Sequence, residues 1–75
     1  MPLTLESLAT QVKYCRKQHG ISQEKLAEIA EVSLPSISRL ERGKATIRFD
    51  LLMKILDSLG LQLEIIPKTP AKPHL

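Results

Sequence analysis

Between Ser22 and Lys44 two short segments with helical spacing follow each other so closely that only three or four residues are left to turn the chain. In the first, Leu26, Ala27 and Ala30 fall at steps of one and three, and Ser22 is placed to cap its start. In the second, Ser33 is the cap and Pro35 fits the first turn, where its missing N–H costs nothing. Ile37 and Leu40 form the buried pair of that segment, and Gly43 stops it. So tight a join forces the two helices to cross steeply. Ala27 is small where they cross, while Val32, Ile37 and Leu40 fill the wedge between them.

The flanks supply the rest of a core. Residues 5–19 carry Leu5, Leu8, Val12 and Cys15 on one stripe, with Thr4 to cap the helix and Gly20 to end it. Glu24 and Glu28 sit near the positive end of the second helix or on its wet side. A fourth helix, with Phe49, Leu52, Ile55, Leu56 and Leu59 as its apolar stripe and Gly60 as its stop, is expected to form the centre of the core. The period then changes. Leu61, Leu63 and Ile65 alternate with Gln62 and Glu64, the two-residue repeat of a half-buried strand. A lone strand has no backbone partner in its own chain, so the same strand of a second copy is expected to pair with it. The chain therefore divides into a helical domain at 1–60, a dimerisation strand at 61–66 and a proline-rich extended, mobile tail at 67–75.

Composition narrows the function. With 75 residues, and about 60% of the unfolded chain's surface hidden in a domain of this size, there is little room for a large enzyme cleft. A core so small also gains from pairing with a second copy. Apolar residues are 43% and charged residues 25%, an ordinary globular mix. The apolar runs, such as Leu51-Leu52-Met53 and Ile65-Ile66, are far shorter than the roughly 18 residues of a membrane span. The start of the chain lacks a secretory pattern, so a cytoplasmic location is expected. Cys15 is the single cysteine, and His19 and His74 are far apart, so neither a disulfide nor a metal site is expected.

No Ser, His and acid arrangement and no glycine-rich phosphate loop is present, so no catalytic residue and no cofactor are assigned. Single-stranded RNA binding is disfavoured because Tyr14 and Phe49 are the only aromatics and Phe49 is committed to the core. The net charge is +3. It is concentrated at 39–48, where Arg39, Arg42, Lys44 and Arg48 face Glu41 alone, while 22–33 carries Lys25 against Glu24, Glu28 and Glu31. That places the basic region at the end of the third helix and in the loop after it, where duplex phosphates could pass.

The segments R-K-Q-H-G-I-S-Q-E-K-L-A-E-I-A, from Arg16 to Ala30, and V-S-L-P-S-I-S-R-L-E-R-G, from Val32 to Gly43, resemble the lambda-repressor-like helix-turn-helix proteins of the Cro and cI type. The likeness runs from about Leu8 to Leu61. It implies an all-α, four-to-five-helix DNA-binding domain with one C-terminal β-strand pairing across a homodimer. It further implies that Gln23, otherwise a solvated first-turn residue, anchors a phosphate at the start of the second helix, and that the third helix reads bases in the major groove. Leu34, Pro35, Ser38 and Arg39 occupy that outward face, Ser33 and Ser36 suit capping or phosphate contact, and Arg42 and Lys44 extend the contact. Arg39 is the expected direct reader, since a guanidinium grips guanine O6 and N7 together, and is otherwise a loose surface arginine. Leu34 and Pro35 either touch thymine methyls or serve packing and entry geometry. Arg16 and Glu41 look like the family's structural ion pair. The turn position that is commonly glycine in the family is Glu31, which costs on the order of 1 kcal/mol if its φ is positive. Ile29, on the outer side of the second helix, reads either as an ordinary exposed aliphatic or as part of a partner surface.

The stretch Leu61-Gln62-Leu63-Glu64-Ile65-Ile66-Pro67, after the Leu59-Gly60-Leu61 join, resembles a narrower group, the HipB-like antitoxins. In that group the C-terminal strand pairs across the dimer axis, here through Leu61, Leu63 and Ile65. The dimer represses its own operon on an inverted-repeat, double-stranded operator, and the partner is a HipA-like kinase toxin. The tail is then a toxin-contacting or degradation-sensitive extension, or simply disordered. The alternatives are a solitary phage-type or metabolic repressor, and a protein-sequestering module without operator binding.

Overall fold

The computed structural model describes residues 3–44 and 47–67. Four helices follow in order: α1 at Leu5–Gln18, α2 at Gln23–Ala30, α3 at Leu34–Glu41 and α4 at Phe49–Ser58. Their starts are set by local chemistry. Thr4 and Ser7 close a reciprocal box: the Ser7 N–H donates to Thr4 Oγ1 at 3.0 Å, and the Thr4 N–H donates to Ser7 Oγ at 2.8 Å. Ser22 Oγ accepts the Lys25 N–H, and Ser33 Oγ accepts the Ser36 N–H. Before α4 the capping position is Arg48, which makes no side-chain cap bond, and Asp50 instead accepts the Leu51 N–H at 3.0 Å.

The four helix ends share one closure. The residue just past each helix has positive φ, and two backbone N–H groups turn back onto the last carbonyls. Thus Gly60 donates to Asp57 and Leu61 to Leu56, and the same pairs recur as Gly20 to Lys17 and Ile21 to Arg16, and as Gly43 to Leu40 and Lys44 to Arg39. For α2 the equivalent donors are Glu31 to Glu28 and Val32 to Ala27. Three of these positions are glycine, with φ between 66° and 72°, whereas Glu31 adopts φ 58° with a full side chain. The turn conformation that would make Glu31 costly is therefore present.

α3 packs on α1 and α2, and α2 packs on α4. Val12, Leu26, Ile37, Ile55 and Leu56 are fully buried at the centre, ringed by Leu8, Ala27, Ala30, Leu40, Leu52 and Leu59. Two expected core residues are not there. Phe49 is 69% exposed and Leu5 is 47% exposed. Both lie in the first turn of their helices, three residues before a buried leucine, Leu8 after Leu5 and Leu52 after Phe49. On α1 the inward line is Leu8, Ala9, Val12 and Arg16, with Cys15 only half-buried.

The strand expected at 61–66 is not formed, and there is no strand among the described residues. Alternation survives through Leu63: Leu61 and Leu63 fold against the core, while Gln62 and Glu64 face solvent. Ile65 and Ile66 then leave the surface, at 101% and 73% exposure. A ladder needs a second backbone, and the described residues supply none. Of the expected tail, Pro67 is exposed and residues 68–75 lie outside the described residues. Among the described residues no helix is long and apolar enough to cross a membrane.

Candidate nucleic-acid interface

The orientation of α3 follows from its anchors. Ile37 and Leu40 are buried beneath it, and this turns Leu34, Pro35 and Arg39 outward, with Ser36 and Ser38 half-buried at the margins. Ser33 and Ser36 join their hydroxyls at 2.8 Å while Ser33 caps the helix, so both are engaged at its start. Arg42 and Lys44 are exposed just beyond its end, and Arg42 Nε reaches back to the Ser38 carbonyl at 3.4 Å.

Between the outer face of α3 and the start of α4 lies a notch of 140 Å³, walled by Ser36, Arg39, Lys44, Arg48 and the apolar Ile47 and Leu51. Three cations thus share one recess beside the outer face of α3. Arg48 is bonded to Asp50 at 2.8 Å, with both side chains well exposed, so its charge is partly answered. Arg39 and Lys44 make no salt bridge among the described residues. The structure therefore brings Ser36, Arg39 and Lys44 together, while Leu34 and Pro35 stand at the opposite, N-terminal end of the helix.

Behind α3, Arg16 and Glu41 form a two-pronged ion pair, Nε to Oε2 at 2.6 Å and a second guanidinium nitrogen to Oε1 at 2.9 Å. The third Arg16 donor goes to the Ile21 carbonyl at 2.8 Å, which ties in the turn between α1 and α2. Gln23 completes the cluster, its amide donating to Glu41 Oε1 at 3.1 Å. Burial pushes the Glu41 carboxyl up, but the hydrogen bonds from Arg16 and Gln23 and the positive charges of Arg16 and Lys13 outweigh it and hold it below its ordinary value. The bond to Glu41 raises Arg16 in turn, against the opposing effect of burial. The scaffold role of Arg16 and Glu41 fits this geometry. Gln23 is neither loose in solvent nor aimed outward alone, since the pair holds its side chain.

Sequence reasoning missed two members of this cluster. The Ile21 carbonyl had no signal in residue type, and Lys13, one turn before Arg16, was readable only as another surface cation. Likewise, Arg48 entered only as part of a charge excess, although it lines the same notch as Arg39.

A protein-family model described as "Helix-turn-helix" matches residues 12–66. The chain is 40% identical over 52 residues to an uncharacterized HTH-type transcriptional regulator of Haemophilus influenzae, covering 69% of this chain and 53% of that protein. It is 34% identical over 58 residues to the HTH-type transcriptional regulator PuuR of Escherichia coli, covering 77% of this chain and 31% of PuuR. The chain thus spans about half the length of the first relative and under a third of the second. Among solved structures, HipB in a HipA-HipB-O2-O3 complex superposes with a TM-score of 0.80 at 26% identity, over 92% of this chain and 97% of that one. A chain of a toxin-antitoxin module from Streptococcus pneumoniae superposes with a TM-score of 0.75 at 37% identity, over 87% of this chain and 71% of that one.

Proposed function

The chain belongs to the helix-turn-helix family, and from that membership we propose that it is a homodimeric, sequence-specific repressor of double-stranded DNA and the antitoxin of a HipBA-like toxin–antitoxin pair. In this reading the dimer represses its own operon and binds a HipA-like kinase. The observation that carries it is the outer face of α3, a rigid helix held from behind by Ile37, Leu40 and Glu41 and presenting Arg39 beside a cationic notch. Arg39 reads guanine, Lys44 and Arg42 meet phosphates, Gln23 and the Ser33–Ser36 pair anchor the backbone at helix starts, and Leu34 and Pro35 contact thymine methyls. The likeness to HipB in complex with operator DNA and with HipA supports both partners. The exposed Ile65 and Ile66, next to the half-buried Leu61 and Leu63, support strand pairing between copies. Pairing would set two α3 helices about 34 Å apart, one turn of B-form DNA.

A gel shift on the DNA upstream of the protein's own gene tests the reading. Retardation is expected, and a dimer touching about 6–10 phosphates should lose roughly 10³–10⁵ in affinity between 50 and 200 mM salt. Replacing Arg39 with alanine should cost about 1–3 kcal/mol on that duplex, near 5- to 150-fold, and little on an unrelated one. Absent retardation, or a flat salt response, favours the protein-sequestering alternative. A kinase-like neighbouring gene separates an antitoxin from a solitary repressor.

A further inference from the structure

On the outer side of α1, Thr10, Lys13, Tyr14 and Lys17 recur at steps of three and four and line an open depression of 370 Å³ together with Ala9 and Glu41. Its charges do not cancel internally. Glu41 is the only acid of the lining, and its carboxylate is already engaged by Arg16 and Gln23. Lys13 and Lys17 are exposed and make no salt bridge among the described residues. Tyr14 is 60% exposed, and its hydroxyl has no partner among them. Thr10 is different, because its hydroxyl already donates to the Glu6 carbonyl at 3.0 Å.

What the depression faces follows from Glu41. Glu41 lines the depression, the charge of Lys13 acts on its carboxyl, and that carboxylate holds Gln23, the residue at the first turn of α2. This face of α1 therefore adjoins the cluster that fixes the start of α2, where Gln23 would hold a strand of duplex. Two ammonium groups and a phenol hydroxyl, all donors and none a reader of base edges, suit the phosphodiester oxygens of such a strand.

We propose that Lys13, Tyr14 and Lys17 form a second phosphate-backbone clamp on α1, which grips the duplex outside the bases that α3 reads. The inference rests on the DNA-binding reading and adds to it a contact that carries affinity without sequence preference. The experiment compares the full chain with the Lys13→Ala/Lys17→Ala double variant, the Lys13→Arg/Lys17→Arg double variant and Tyr14→Phe. Fluorescence anisotropy between 50 and 200 mM KCl is read on the duplex upstream of its own gene and on an unrelated duplex of equal length. The alanine pair should weaken both duplexes by the same factor, at least about tenfold at 100 mM salt, and flatten the log–log salt slope by about 3.6, for four lysines in the dimer. The arginine pair should restore the slope, and Tyr14→Phe should weaken both duplexes with the slope unchanged. Melting should stay within a degree or two of the parent, because both lysines are exposed. If the parent binds and the alanine pair matches it in affinity and slope, the clamp is wrong and the face serves a protein partner, while the DNA reading stands. If the alanine pair weakens only the own-gene duplex, the residues read sequence and the clamp is again wrong. If the parent binds neither duplex, both readings fall together.

Discussion

Replacing Glu41 with alanine removes the acceptor for two Arg16 donors at 2.6 and 2.9 Å and for the Gln23 amide at 3.1 Å. Arg16 is only 8% exposed and stays charged at any pH that leaves the protein folded, so its guanidinium keeps the Ile21 carbonyl and loses its counter-charge. Breaking a buried pair in this way costs about 3–5 kcal/mol. No point in a domain this small is far from water, so the lower end applies. At about 4–8 °C per kcal/mol for a domain of this size, a loss near 3 kcal/mol lowers Tm by at least about 12 °C. Thermal and urea unfolding followed by circular dichroism, at one fixed protein concentration because assembly shifts Tm, measures it. The double replacement Arg16→Met/Glu41→Leu should recover most of the loss, since it leaves no charge stranded. The acid limb gives an independent reading. The Glu41 carboxyl lies below its ordinary value in the folded chain, so its contribution is fully present above the unfolded value of about 4.3 and fades as pH falls through the folded one. Glu41→Gln should lack that limb. A Tm unchanged in Glu41→Ala, with sequence discrimination lost, would show that Glu41 belongs to the reading surface and refute the scaffold argument.

Other outcomes follow from single features. Glu31→Gly should raise stability by about 0.5–1 kcal/mol, or roughly 2–8 °C, because glycine accepts the φ of 58° at no steric cost, less what it adds to the freedom of the unfolded chain. Glu31→Asn should gain less and Glu31→Ala nothing; an equal gain from alanine would trace the effect to charge instead. Ile65→Asp should leave the fold intact, since the side chain is fully exposed in the single chain, yet shift sedimentation from dimer to the 8.4 kDa species. A dimer unaffected by that change would remove the 61–66 segment from the interface.

The helices were legible because their signals are local. Serine and threonine caps, steps of three and four, and a glycine after three of the four ends each fix a boundary without knowledge of the rest of the chain. Depth was not legible. Periodicity assigns Phe49 and Leu5 to the correct side of their helices, but whether a neighbour covers the first turn depends on where another helix ends. The 61–66 alternation likewise reports a half-buried pattern through Leu63, whereas a ladder depends on a second backbone. The ion pair between Arg16 and Glu41 was available only through likeness to known proteins, since no spacing rule links side chains so distant in sequence. The added grip of Gln23 and of the Ile21 carbonyl on that pair had no signature at all.

α3 is an eight-residue rod whose two sides have separate duties. Ile37, Leu40 and Glu41 are bolted to the body of the domain, and Leu34, Pro35 and Arg39 stand exposed. Evolution can therefore rewrite the second set like interchangeable type on a fixed press. Grafting the outward residues of another regulator onto this rod should redirect the protein to that regulator's target while its melting curve barely moves.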